Sequence, residues 1–439
     1  MTREWIGGGA FRRLLPLLAI PLAALAVVLT MKAGGAGAPA LPAPTDSAPL
    51  PRDTTGRIAA LQAAVRGGDT DPRTFSALGD AFLQRVRETG DPALYERAER
   101  AYGRALSGAP RSVDALTGMG TLSLARHDFA GGLRYGLAAR RAAPQTLKPY
   151  PVLVDALIEL GRYPEAFRTL QQFVDLKPTL ASYARVSYAR ELQGDLPGAL
   201  EALRLAAAAG GEAAENVAYV QTLIGNLSLS RNRPGEARDA YRLALRRVPG
   251  YVPASAGLAR ADVALGDLPA AITRLRSVVA RLPLPEYVVA LGDAELAAGR
   301  PAAARRDLAL VRAQGRLLAS AGVNTDVDLA LFEADHGSPA KGVTLARRGY
   351  AAAPSVRSAD ALGWSLARAG RPGEALAWMR EALRLGWRDP LVLYHAGMTA
   401  KAAGQPALAR TWLSRALREN PRFNAVDAPR ARDALQGLR

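Results

Sequence analysis

The chain has 439 residues, 49% of them apolar and 22% charged, enough to bury a large core and to exclude a wholly disordered protein. Lys and Arg outnumber Asp and Glu by 57 to 40, a formal charge of +17, and only Lys32, Lys148, Lys177, Lys341 and Lys401 are lysines. The lack of cysteine excludes disulfides, thiol catalysis, Cys-bound zinc and iron–sulfur clusters. Aromatic residues make up only 6%, and Ala, Leu and Arg dominate, a palette that favours helix over sheet and predicts an all-α fold.

In chain order, residues 1–13 form a basic flank with Arg3, Arg12 and Arg13. Residues 14–31 follow without a charge, long for the core of a signal peptide and near the minimum for a spanning helix. Two readings stay open: a retained transmembrane anchor, or a signal sequence cleaved near Ala36-Gly37-Ala38, where the following Pro39 disfavours cleavage. Both send the rest of the chain out of the cytoplasm, because positive charge before an apolar run stays inside. Residues 32–55 hold Pro39, Pro42, Pro44, Pro49 and Pro51 and read as a semi-extended spacer. Residues 56–71 then read as an N-terminal capping helix and 422–439 as a C-terminal one. Without residues 1–38 the charge is still +14.

Between the caps, residues 72–421 repeat. Pro110, Pro144 and Pro178 lie 34 residues apart, as do Pro249 and Pro283, and Pro354 and Pro421 close later units. Within a unit, a small residue is followed by Ala twelve on, an aromatic or Leu four further, and a small or apolar residue three after that. Gly225, Ala237, Tyr241 and Ala244 show this, as do Ala259, Ala271, Leu275 and Val278, and Gly397, Ala409, Leu413 and Ala416. Such spacing fits an antiparallel helix pair whose small residues allow close approach. Gly161, Gly266, Gly299, Gly370 and Gly404 end the first helix, and each proline closes the second. A single pair cannot bury its faces, so about ten must stack into one right-handed superhelical solenoid. Three departures stand out: an insertion of about seven residues around Thr89–Tyr95, an extended join at Arg312–Val323, and Gly210-Gly211 in place of a proline, where a kink is expected.

These residues make the chain resemble a tetratricopeptide-repeat protein over about four-fifths of its length. The segments beginning at Tyr183, Leu282, Asp328 and Leu393 resemble more narrowly a group of exported or membrane-anchored bacterial proteins of this type, a group without assigned activity. The resemblance implies a non-enzymatic scaffold that holds a protein or peptide in a concave groove lined by first helices. On this register the groove exposes Asp80, Asp155, Glu159, Tyr188, Glu191, Tyr219, Asn226, Arg260, Asp293, Asp328, Trp364, Arg368, Tyr394, Met398 and Lys401. Acidic groups run along the first eight units and aromatic or basic ones gather in the last two, so a ligand would meet different chemistry at its two ends. The Lys and Asn clamp by which some relatives hold a C-terminal carboxylate is absent, because Thr222 stands where the Lys accompanying Asn226 belongs.

Little in the chain points to catalysis. His127, His336 and His395 are scattered over different units, and Gly363-Trp364-Ser365 falls at the small position of a repeat with no strand before it. No phosphate loop, dinucleotide motif or metal-ligand spacing occurs, so neither cofactor nor metal is expected. The expected partner is an exported or membrane protein or peptide, with membrane attachment through residues 14–31. The alternative is an anionic polymer, cell-wall polyanion or nucleic acid, on the basic surface. Nucleic acid is disfavoured, since no aromatics interleave the Arg pairs at 246–247, 305–306 and 347–348.

Overall fold

A computed structural model describes residues 53–438 of the chain. The apolar run at 14–31, and with it the anchor or signal reading, lies outside the described residues. Among the described residues there are helices and no strand, and no helix is long and apolar enough to cross a membrane.

Helix α1 (Thr54–Arg66) packs on the first of ten helix pairs, and α22 (Asp427–Gln436) packs on the last. The first helices of the pairs are α2 (Pro72–Thr89), α4 (Val113–Ala125), α6 (Tyr150–Glu159), α8 (Leu180–Leu192), α10 (Ala214–Ser230), α12 (Val252–Leu265), α14 (Pro285–Ala297), α16 (Asp326–His336), α18 (Val356–Arg368) and α20 (Pro390–Ala402). Their partners are α3 (Ala93–Gly108), α5 (Phe129–Ala142), α7 (Tyr163–Leu176), α9 (Leu196–Gly210), α11 (Pro234–Arg247), α13 (Leu268–Arg281), α15 (Pro301–Ser320), α17 (Pro339–Ala352), α19 (Pro372–Ala382) and α21 (Pro406–Glu419).

The proline register has a simple structural counterpart. Pro110, Pro144, Pro178, Pro249, Pro283, Pro354 and Pro421 each stand two residues beyond the last residue of a second helix. A ring there cannot continue the helix and turns the chain into the next unit. Between α9 and α10, where no proline stands, Gly211 makes the turn at φ +62°, and Asn216 Nδ2 donates to Gly210 O at 2.7 Å.

The small positions do more than bring two backbones together. A Cβ built on Gly225 would lie 2.5 Å from the Tyr241 ring, and one on Gly257 of the next unit 2.3 Å from it. Tyr241 is fully buried between them, and Tyr102 sits the same way between Gly79 and Gly118. Tyr102, Tyr241, Leu308 and Leu413 thus fill the space left over a glycine of their own first helix and, in the two tyrosine units, over that of the following unit. Ala237 is fully buried as the register requires. Arg238, which the register would turn to solvent, is instead half-buried, with its Nε covered and without a partner.

Both extensions of the repeat lengthen helices. The insertion in the first unit carries α2 to Thr89, and the extended join carries α15 to Ser320. Gly225→Ala should lower the urea midpoint of helical circular dichroism by the equivalent of about 1–3 kcal/mol, as overpacking does. Gly235→Ala, in α11 with open space around it, should raise stability by about 0.4–1 kcal/mol by restricting the unfolded chain. Equal midpoints for the two variants would contradict the Tyr241 wedge.

Candidate functional site

The solenoid closes on itself. The turn between the two helices of one unit meets the link that follows the second helix four or five units later, and this recurs along the chain. In the first unit Gly90 lies so close to Leu282 that an added Cβ would fall 2.4 Å from its Cδ1. In the second, Asn324 N donates to Arg126 O at 2.9 Å, and His127 Nδ1 lies 2.7 Å from Asn324 O. In the third, the buried Val356 N–H donates to the Tyr163 hydroxyl at 2.8 Å, and Arg384 lies over the Tyr163 ring. In the fifth and sixth, Asn420 Nδ2 donates to Leu229 O at 2.9 Å and Arg422 Nη1 to Ala264 O at 3.0 Å.

These contacts form a seam, and apolar burial follows it. Leu153, Leu170 and Leu203 of the third and fourth units belong to one buried cluster with Met379, Leu393 and Leu413 of the last two. The two departures from the repeat both serve the seam: lengthened α2 brings Gly90 to it, and lengthened α15 brings Asn324. His127 takes a left-handed conformation, φ +58°, where most other units carry glycine and the fifth carries Asn232, a strained choice for a side chain that its seam contact and its stacking on Phe129 hold in place.

Closure turns the concave face into the wall of a cavity of about 490 Å³, within the range of small-ligand sites. First helices supply most of the wall, from α2, α4, α10, α12, α14, α16, α18 and α20, and the segment Asn420–Asp427 crosses into it. An open groove for an extended chain, expected from the repeats, is therefore narrowed to a partly enclosed lumen.

Of the fifteen residues assigned to the groove, Arg260, Asp293 and Asp328 line this cavity. Glu159 and Asp328 line a smaller one beside His127 and Arg357. Most of the others tie helices together. Asp80 accepts from the Tyr102 hydroxyl at 2.7 Å, and Asp155 holds Arg185 through two bonds of 2.6 and 2.8 Å. Asn226 Oδ1 accepts from Tyr241 at 2.7 Å and from Arg260 at 2.8 Å. Trp364 Nε1 donates to Asp335 at 2.8 Å, Arg368 donates to Ala334 O at 3.1 Å, and the Tyr394 ring lies 5.8 Å from Phe423. Tyr188, Tyr219 and Met398 are half-buried against apolar neighbours, and Lys401 is exposed. Burial pushes Glu191 up to about 8 and Asp80 up to about 6, the Tyr102 hydrogen bond opposing the latter.

The cavity also gathers residues that spacing had scattered. His336 Nε2 lies 3.2 Å from Asp293, and His395 Nδ1 lies 3.0 Å from Asp360 while stacking on Trp364 at 4.2 Å. Burial disfavours the charged imidazole in both, yet the neighbouring carboxylates outweigh it and raise both pKa values. Asp389, fully buried, caps α20 through Leu391 N and Val392 N with Oδ1, while Oδ2 has no partner. Burial, with Asp360 nearby, pushes its pKa well above the carboxylate range. Burial likewise moves Glu286 up to about 7. Acidic and basic groups are interspersed in the wall: Arg260 comes from the sixth unit, Asp293, Asp335 and Asp360 from the seventh to ninth, and Arg422 and Arg430 from beyond the tenth. Among the described residues no group of three or more His, Asp or Glu is arranged to hold a metal ion.

The seam makes a direct prediction. Tyr163→Phe leaves the buried Val356 N–H without an acceptor, which should cost about 1–3 kcal/mol and speed hydrogen exchange at Val356. Unchanged exchange there would contradict the bond.

Residues 228–291 and, separately, 356–381 match the tetratricopeptide repeat. No curated protein matches the chain. Among solved structures it is similar to a thermophilic tetratricopeptide-repeat protein of Thermus thermophilus, at 21% identity over 43% of this chain and 98% of that one, with a TM-score of 0.39. It is similar to human IFIT1, a dimer with PPP-AAAA, at 13% identity over 83% and 86%, TM-score 0.47. It is also similar to the anaphase-promoting complex hetero-tetramer Cut9-Hcn1 at 15% identity over 88% and 84%, TM-score 0.38. The chain carries tetratricopeptide repeats, matched at residues 228–291 and 356–381, within a stack of ten helix pairs.

Proposed function

We propose that the protein is a non-enzymatic scaffold outside the cytoplasm that binds an exported or membrane protein, or a peptide, in the lumen of its solenoid. Its location rests on the basic flank and apolar run of residues 1–31, retained as an anchor or removed as a signal. The single observation that carries the binding reading is the cavity of about 490 Å³, walled by the first helices of eight units. Tetratricopeptide repeats generally serve protein interaction, and this wall combines apolar surface with polar and charged groups able to orient a ligand.

The anionic-polymer alternative draws less support from the outer face. Arg347 pairs with Glu374, Arg348 with Asp326, and Arg306 with Asp307. These pairs engage part of the outer charge within the protein, while Arg246 and Arg247 stay exposed.

Cross-linking in intact membranes followed by capture of the full chain tests the proposal. A discrete protein partner should be recovered, and Ala290→Trp, which fills the lumen, should reduce its recovery while leaving helical circular dichroism unchanged. Capture that is insensitive to the lumen substitution but falls steeply between about 50 and 200 mM salt, as polyanion contacts do, would overturn it.

A further inference from the structure

Helix α15 is built unlike its neighbours in the outer layer. It has 20 residues where α11, α13 and α17 have 14, and it buries only one strip, Ala304, Leu308, Val311 and Gly315. Away from that strip stand Leu310 and Leu317, 48% and 58% exposed, the two most exposed of the large apolar side chains among the described residues. They are seven residues apart, so at about 100° per residue they share one strip of the helix, with exposed Ala313 beside it. About a third of a turn further round comes a second strip, with exposed Arg305 and Arg316. Among the described residues no carboxylate lies within ion-pair distance of either arginine. Arg306 meets only its neighbour Asp307, at 3.7 Å, whereas Arg312 is committed to Glu333 at 2.8 Å.

The outward face of α15 thus sets aliphatic side chains beside uncompensated positive charge. The repeat does not require this, since Arg316 and Leu317 lie on the turns by which α15 exceeds the 14-residue helices. A partner that covers the face must take up both chemistries. A second copy of the chain is a poor match: α15 carries four arginines and one aspartate, so pairing two such faces sets arginine against arginine. Nucleic acid would engage the arginines and leave the leucines in water, with no aromatic side chain on this helix for a base to stack on. An anionic bilayer accepts both, because leucines enter the acyl boundary while guanidinium groups stay at the level of the phosphates. The helix is not apolar enough to cross a membrane, and lying in the interface plane needs only one apolar strip. The sequence between the apolar run at 14–31 and α1 extends by no more than about 3.5 Å per residue, which keeps the body beside any bilayer that run enters.

We propose that α15 docks on the surface of an anionic lipid bilayer, with Leu310 and Leu317 entering the acyl boundary and Arg305 and Arg316 meeting headgroup phosphates. Guanidinium forks suit phosphate oxygens, and the negative surface potential draws basic residues towards it. The contact is separate from the lumen and does not depend on what the lumen holds. It gives the solenoid a fixed orientation on the membrane, with α15 in the interface plane.

The test places an environment-sensitive fluorophore on the full chain at Ala313→Cys, with Ser107→Cys on the exposed side of α3 as a control, since the chain has no cysteine of its own. The vesicles are phosphatidylcholine alone or phosphatidylcholine mixed with phosphatidylglycerol. Emission at position 313 should shift to the blue with the mixed vesicles only, while emission at 107 stays at its value in water. Leu310→Ser with Leu317→Ser should remove the shift. Arg305→Gln and Arg316→Gln should each weaken it about fivefold in a lipid titration, the scale of one basic residue near an anionic surface. Helical circular dichroism should be unchanged in all of them, as at other exposed sites. Sedimentation of the same samples separates this contact from the apolar run at 14–31. A protein that sediments with both kinds of vesicle and shows no shift overturns the inference and leaves the anchor reading standing. One that sediments with the mixed vesicles alone and does shift supports the inference and removes the anchor. An equal shift with both lipids, or no shift with either, overturns the inference. So does a shift that grows with protein concentration in the absence of lipid, which would mark a second copy, or one seen with native membranes but not with lipid vesicles, which would mark a protein.

Discussion

The structure depends on the edge-to-edge closure of its superhelix. A stack of helix pairs has contacts only between neighbours, so its curvature is free to vary as small rotations add up along the array. Here that freedom is removed, because the turn of one unit is bonded to the link that follows the second helix four or five units on, at Arg126 and Asn324, Tyr163 and Val356, Leu229 and Asn420, and Ala264 and Arg422. Backbone groups make or accept every one of these bonds. The seam therefore fixes the path of the chain and does not merely decorate its surface. It also converts a one-dimensional array into a body with a shared interior, in which units far apart in sequence contribute to a single buried cluster.

Closure explains why the lumen has the chemistry it does. Asp360 and His395 are neighbours because they stand 35 residues apart, about one repeat, and Asn226 meets Arg260 for the same reason at 34. Repetition places side chains of adjacent units at hydrogen-bond distance along the inner wall. The seam then brings the early units and the Asn420–Asp427 segment against that wall and reduces its access to water. Carboxyl groups that would ionise freely in an open groove are held back, as the elevated Glu286 and Asp389 show. Asp335 and Asp427 move in the same direction, with burial the leading cause in each.

The helix pairs were legible in the sequence because each of their determinants is local. A proline two residues past a helix end, a glycine in a turn, and a small residue sixteen before the aromatic or Leu that covers it act over distances shorter than one repeat. The Tyr241 wedge between Gly225 and Gly257 is read from spacing alone once the register is known. The seam was not legible. Its partners lie 158 to 198 residues apart at helix ends and in links, and which of them meet depends on curvature accumulated over several units. His127 illustrates the difference: an isolated histidine near a turn signals nothing by itself, and its role emerges only when Asn324 is placed against it. The lengthened α2 and α15 were visible as irregularities, and their purpose was not. For the same reason the repeat register presents the groove residues as one exposed row, whereas most of them bond adjacent helices and only Arg260, Asp293 and Asp328 reach the large cavity.

Closure is directly measurable, because the chain has no native cysteine to compete with introduced labels. Spin labels attached at Arg162→Cys and Arg384→Cys lie on opposite sides of the seam, where Arg384 reaches Gly161 O at 3.4 Å across 223 residues of chain. Double electron–electron resonance on the full protein should give a single narrow distribution at the short limit of the method. A broad distribution, or one centred at several nanometres, would show an open superhelix and would contradict the seam.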